Sequence, residues 1–134
     1  MPLVSTPPTD LIQSVDRALT IVETVGQAVH GLTVHEIAAR CDLGAPAARH
    51  HIATLAHRRY LLRWDSRRYT LGPALADRTH DLATHLAAHH TAGATVAALA
   101  CHLDRPRTLV YHLLTHGAAA TAGTCYRAAA IARP

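Results

Sequence analysis

The chain of 134 residues contains no phenylalanine, no lysine and no asparagine, and its aromatic residues are Trp64 and four tyrosines. With so few rings, a folded core has to be assembled from Leu, Ile and Val on an alanine-rich background. Apolar residues still make up 49% of the chain against 16% charged, so a packed fold is expected and global disorder is not. No run of 18 apolar residues exists, which removes a membrane-spanning helix. The opening residues, with Pro2, Pro7, Pro8 and Asp10, lack both the basic and the apolar region of a signal peptide, so the expected location is the cytoplasm. Cys41, Cys101 and Cys125 form no CxxC pair, and neither a disulfide frame nor a Cys-based zinc site is specified. G-x-S-x-G, H-E-x-x-H and a Gly-rich phosphate loop are all missing, so the chain is not expected to be an enzyme. No cofactor is called for.

What the chain does have is arginine. All 13 of its basic residues are Arg, the formal charge is +4 and the pI is near 9.4, a mild pull toward a polyanionic partner. Placement says more than the total. Between Gly44 and Gly72 stand Arg49, Arg58, Arg59, Arg63, Arg67 and Arg68 against a single acid, Asp65.

That cluster lies inside a patterned region. Val15, Ala18, Leu19, Val22 and Val25 recur at helical spacing over residues 14–28. Thr33-Val34-His35-Glu36 is a capping box, followed by a short helix with Val34, Ile37, Ala38 and Cys41 on one face. Asp42-Leu43-Gly44 reads as a tight turn, and Pro46 stands where the first turn of the next helix begins. This third helix, 46–59, has an apolar stripe of Ala48, Ile52, Leu55 and Ala56. Its opposite face carries Arg49, His50, Ala53 and His57. Residues 60–64 and 68–71 are strand-like and joined at Asp65-Ser66-Arg67, a basic hairpin. A capped short helix, a tight turn, a second helix and a hairpin in that order make a winged helix-turn-helix. Its expected core is Leu19, Val22, Ile37, Ala38, Ile52, Leu55, Leu61 and Leu71. The five arginines from Arg58 to Arg68 fall where such a fold meets phosphates.

The same residues resemble the DNA-binding domain of the IclR family of transcription regulators. The resemblance rests on Ser14-Val15-Asp16-Arg17-Ala18-Leu19, on Leu32-Thr33-Val34-His35-Glu36-Ile37-Ala38, on Ala53-Thr54-Leu55 and on Arg68-Tyr69-Thr70-Leu71-Gly72-Pro73. It implies a third helix in the major groove and a wing on the flanking backbone. Arg49 and His50 are then expected at base edges, with Ala45 and Ala47 at the helix entry. Arg58, Arg59, Arg67 and Arg68 are expected on phosphates, and Thr33 and Tyr69 complete the candidate interface. This sequence departs from the family in having Ala45, Pro46 and Ala47 where small polar residues are usual, which shifts direct readout toward Arg49 and His50. His51 replaces an apolar residue at the edge of the core.

The organisation that follows is a lead over 1–13 expected to be disordered, the winged domain over 14–73, a linker and dimerisation helix over 74–92, and a short segment over 93–134. Two readings compete for the last. One takes residues 95–103 as a helix followed by strands at 108–114 and 118–126, a truncated effector domain, and it is preferred because Thr108-Leu109-Val110-Tyr111 is β-prone. The other notes that Gly31, Thr33, Val34, Ala38, Asp42 and His50 recur 62 residues later as Gly93, Thr95, Val96, Ala100, Asp104 and His112, a second helix-turn-helix. The fold class expected overall is mainly α: three helices with a hairpin wing, a linker helix and a short α/β tail.

Twelve histidines raise the question of metal. Asp81, His85 and His89 share a helix face, but no further anchoring ligand is specified nearby, so exposed histidines and no metal are expected. Cys41 and Cys101 are expected as buried thiols. The expected function is a sequence-specific regulator that binds double-stranded DNA as a homodimer through the first helix and the 74–90 helix. No membrane and no small-molecule inducer are expected as partners. The competing class is a protein-interaction module on a winged-helix scaffold.

Overall fold

The computed structural model describes residues 8–116 and divides them into two units, 8–76 and 77–116. In the first, α1 (Gln13–Gly26), α2 (Val34–Arg40) and α3 (Ala45–His57) close around Ile21, Val25, Leu32, Ile37, Ala48, Ile52 and Leu61. Local sequence sets each helix end. Thr33 and Glu36 make the capping box in full: the Glu36 amide donates to Thr33 Oγ1 at 3.3 Å, and the Thr33 amide donates to Glu36 Oε2 at 2.7 Å. After α2, Asp42 turns left-handed (φ 51°) and the Leu43 amide reaches back to the Ala38 carbonyl at 2.9 Å. That closure usually falls to glycine, and a short polar side chain such as Asp tolerates it. Pro46 sits in the first turn of α3, where its missing N–H costs nothing.

The wing is a two-stranded antiparallel sheet, β1 (Leu61–Arg63) against β2 (Tyr69–Leu71), with Leu61 opposite Leu71 and Arg63 opposite Tyr69. Tyr69 also exchanges both backbone bonds with Leu32, at 2.8 and 3.0 Å, which ties the wing to the entry of α2. Gly31 permits that approach. Its φ is +73°, and a Cβ there would run into the Tyr69 carbonyl oxygen.

Four expected core residues fall short of full burial: Val22 and Leu55 are half-buried, and two lie largely outside. Leu19 is 57% exposed and Leu71 43%. On α1 the buried residues are Ile21 and Val25, while Ile12, Val15 and Leu19 line the outer side. The helix is apolar on two faces, and the tertiary fold selects the one that meets Ile37 and Ile52.

The second unit holds most of α4 (Ala74–Thr91), then α5 (Val96–Leu103) and a helix over 107–116, α6. Its core is Ala83, Leu86, Leu99, Ala100, Val110 and Leu113. The strand expected over 108–114 is a helix instead. Pro106 cannot donate, but its carbonyl takes the first bonds of the turn, from Leu109 at 3.0 Å and Val110 at 3.4 Å. Burial at Val110 and Leu113, with Leu109 and Tyr111 exposed, follows the helical period and not strand alternation. Ala83 and Leu86, on the 74–90 helix expected to dimerise, are buried inside this unit. Cys101, expected to be buried, is exposed, while Cys41 is half-buried and donates its thiol to Thr24 Oγ1 at 3.5 Å. Asp81 pairs with Arg78 at 2.8 Å, and among the described residues no three His, Cys, Asp or Glu converge on a metal position. Residues 1–7 of the lead, the strand at 118–126 and Cys125 lie outside the described residues.

Candidate nucleic-acid interface

α3 buries Ala48 and Ile52, and this fixes what it shows outward: Arg49, His50, Ala53 and His57 are all exposed. The hairpin folds beside that face. Arg49 from α3, Arg63 from β1 and Arg67 from the hairpin tip line one groove of about 290 Å³, floored by Val34, Ile52 and Tyr69. Among the described residues none of these three guanidiniums lies within 4.0 Å of a carboxylate. Three unpaired cations around one concave surface make a strong local positive field.

Arg67 is also held in an unfavourable backbone. Its amide donates to the Trp64 carbonyl at 3.0 Å, and the Trp64 amide donates to the Arg68 carbonyl at 2.9 Å, which closes the hairpin with Arg67 at φ 59°. Glycine is the usual occupant of such a left-handed turn position. Arg59, at the end of α3, adopts φ 64° in a similar way, with the Tyr60 amide donating to the Leu55 carbonyl at 2.9 Å.

The other expected contacts sort differently. His50, Arg58 and Arg59 are exposed, and Ala45 and Ala47 are half-buried at the start of α3. Arg68 turns away from the groove. It donates through Nη1 to the Gly31 carbonyl at 2.9 Å and pairs with Glu36 Oε2 at 3.3 Å, clamping the wing to the α2 cap. Thr33 is engaged in the same cap: its hydroxyl bonds Glu36 at 3.0 Å. Tyr69 is half-buried against the core and lines the groove. Arg63 is expected as one of the five clustered arginines but not among the contacts that the family resemblance implies, and the fold places it in the groove. The signal for it lay in strand alternation: opposite Tyr69, it points to the same face of the hairpin.

The cap carries a pH signature. Bonds from the Thr33 amide and hydroxyl, then the charges of Arg68 and Arg40, hold the Glu36 carboxyl below its ordinary 4.5. A carboxyl lowered in the folded state adds stability that is complete above about pH 4.5 and is lost as the pH falls through the lowered value. Glu36→Gln should therefore unfold at a lower temperature than wild type at pH 7, with the gap narrowing below pH 4.5. Thermal unfolding followed at Trp64, the only tryptophan, measures both. A gap that did not change with pH would show that the carboxylate charge is immaterial to the cap.

Comparison with known families agrees with this geometry. Residues 14–63 match the model of the IclR helix-turn-helix domain, a span that runs from α1 through β1. No curated protein matches the chain. No helix among the described residues is long and apolar enough to cross a membrane. A capped α2, a tight turn, an outward-facing α3 and a family match over the same residues agree: residues 14–63 are similar to the IclR helix-turn-helix domain, which supports a role in DNA-binding transcription regulation.

Proposed function

We propose that the protein is a cytoplasmic, sequence-specific regulator that binds duplex DNA as a homodimer, with α3 in the major groove and the wing on the adjoining backbone. The observation that carries this reading is the groove shared by Arg49, Arg63 and Arg67. A recognition helix reads base edges with its exposed side chains while flanking cations fix register on phosphates. Arg49 and His50 take the first role; Arg63, Arg67, Arg58 and Arg59 take the second.

The exposed row Ile12, Val15 and Leu19 on α1 supports pairing with a second copy. These three side chains are more than half exposed and continue from Leu11 along one face, an apolar patch that a partner α1 would cover. A two-fold pair presents two copies of α3 to half-sites separated by whole helical turns. Sedimentation at tens of micromolar should show a dimer, and Val15→Glu should convert it to monomer.

Selection from a random duplex pool, followed by titration at several salt concentrations, tests the reading as a whole. A steep fall of affinity with salt is expected, because each neutralised phosphate contributes about 0.9 to the log–log slope. A protein-interaction module on the same scaffold would retain no duplex, or would bind with no salt dependence.

Arg67 yields a prediction with opposite signs in two assays. Arg67→Gly relieves the left-handed strain and should stabilise the fold by about 1 kcal/mol in urea unfolding. The same substitution removes a phosphate contact and should weaken duplex binding. If stability rose and binding were untouched, Arg67 would not belong to the interface.

A further inference from the structure

The segment after α4 rebuilds the turn geometry of the first unit, residue for residue, at an offset of 62. Gly31 and Gly93 are both left-handed, at φ 73° and 104°. Thr33 and Thr95 each cap the following helix through Oγ1, from Glu36 at 3.3 Å and from Ala98 at 3.1 Å. Asp42 and Asp104 both close their helices at φ 51° and 50°. The next amide then reaches back five residues in each case, Leu43 to the Ala38 carbonyl at 2.9 Å and Arg105 to the Ala100 carbonyl at 3.0 Å. The following helices start alike: Ala48 donates to Gly44 at 3.0 Å, and Val110 donates to Pro106 at 3.4 Å. The inward positions correspond as well, Ile37 with Leu99, Ala38 with Ala100, and Ala48 with Val110.

We infer that α5 and α6 form a second DNA-reading helix-turn-helix, in which α6 presents Arg107, Thr108, Tyr111 and His112 to base edges of a second stretch of duplex. The outward face decides this. In α3 the residues at the corresponding register are the half-buried Ala45 and the exposed Pro46, Arg49 and His50; in α6 they are Arg107, Thr108, Tyr111 and His112. All four are exposed, and Tyr111 is 63% so. Burial of Val110 and Leu113 holds that face outward. Where α3 offers two alanine- and proline-occupied entry positions, α6 offers an arginine and a threonine. Arg and Thr are among the side chains that hydrogen-bond base edges, and the fork of Arg fits guanine O6 and N7. Arg105 extends the basic surface at the turn, beside a single acid, Asp104. An apolar docking surface fits less well, because the exposed face combines a guanidinium, a hydroxyl, a phenol and an imidazole.

The inference rests on the reading that the first unit binds duplex DNA, and the test keeps the two apart. Random duplexes are selected with the full chain as wild type, as Arg49→Ala and as Arg107→Ala/Tyr111→Ala. Circular dichroism first checks that helix content is unchanged, as expected for exposed positions. Wild type should select half-sites built of two non-identical sequence blocks, unlike the repeated identical block that dimerisation alone gives. The α6 double variant should keep one block, lose the other and protect a shorter footprint. Its affinity for the wild-type site should fall about tenfold. Arg49→Ala should blur the complementary block. An α6 variant that selects the complete wild-type motif with an equal footprint overturns the inference and leaves the first unit's binding intact. So does an α6 variant that changes sedimentation but not the footprint, which would make the face a protein contact. Failure of wild type to retain any duplex overturns both readings.

Discussion

Ile52→Ala should destabilise the first unit by about 2–5 kcal/mol, the range found when a large buried aliphatic side chain is cut back to a methyl. Ile52 is 2% exposed and sits at the middle of α3, with Ile21, Ile37 and Leu61 in the same cluster. Two of that cluster's eight buried residues, Ala38 and Ala48, are alanines, whose methyl groups cannot reach into the hole. Small domains have modest stability to begin with. The loss is therefore a large share of the total, and it falls on the helix that carries Arg49. Urea unfolding followed by Trp64 fluorescence gives the number, with Leu19→Ala as the control. Leu19, at 57% exposure, should cost under about half a kcal/mol. Equal losses at the two positions would mean that the inward face of α3 or of α1 is misassigned.

The contrast between those residues marks how far sequence alone reaches. α2 is legible because its signals are local: Thr33 and Glu36 are three residues apart and complete each other. The hairpin is legible for the same reason, since register follows from strand alternation around a short turn. α1 is not, because Ile12, Val15 and Leu19 form one apolar row and Ile21 and Val25 another. Spacing shows that each row exists; only the partners across the core decide which is inward. At 108–114 the difficulty is different. A short apolar run with β-branched and aromatic members satisfies both periods, and the deciding facts are Pro106 at its start and burial at Val110 and Leu113.

The candidate site divides along the same line. That an arginine cluster flanks α3 is visible in the sequence, whereas the assignment of each arginine is not. Arg67 and Arg68 are neighbours in the chain and expected as equivalents. The fold sends Arg67 into the groove with Arg49 and Arg63, and it sends Arg68 to Gly31 and Glu36, more than thirty positions back. No local pattern encodes a contact over that separation. The pairing has a physical logic nonetheless, because the cap carboxylate and the wing cation each lose solvent as the wing docks.

Arg49→Ala and Arg67→Ala should separate sequence reading from phosphate anchoring, and this is the largest functional effect expected. Arg49 projects from the middle of α3, where a guanidinium lies within reach of base edges once the helix is in the major groove. A bidentate arginine contact discriminates its base by about 1–3 kcal/mol, which is roughly 5- to 150-fold in affinity. Removing it should flatten the difference between the selected site and a site altered at one base pair, while binding to unrelated duplex changes little. Arg67 sits at the hairpin tip, and a wing reaches backbone. Its loss should weaken selected and unrelated duplexes by the same factor and lower the salt slope by about 0.9. Fluorescence anisotropy across a set of single-base variants of the selected site, at three salt concentrations, reads both quantities at once. The assignment fails if Arg49→Ala lowers affinity for every duplex equally and reduces the slope, for Arg49 would then be a phosphate contact. It fails equally if Arg67→Ala changes the order in which the variant sites are ranked, for the wing would then read sequence, and α3 would have to be moved out of the role that its exposed arginine and histidine give it.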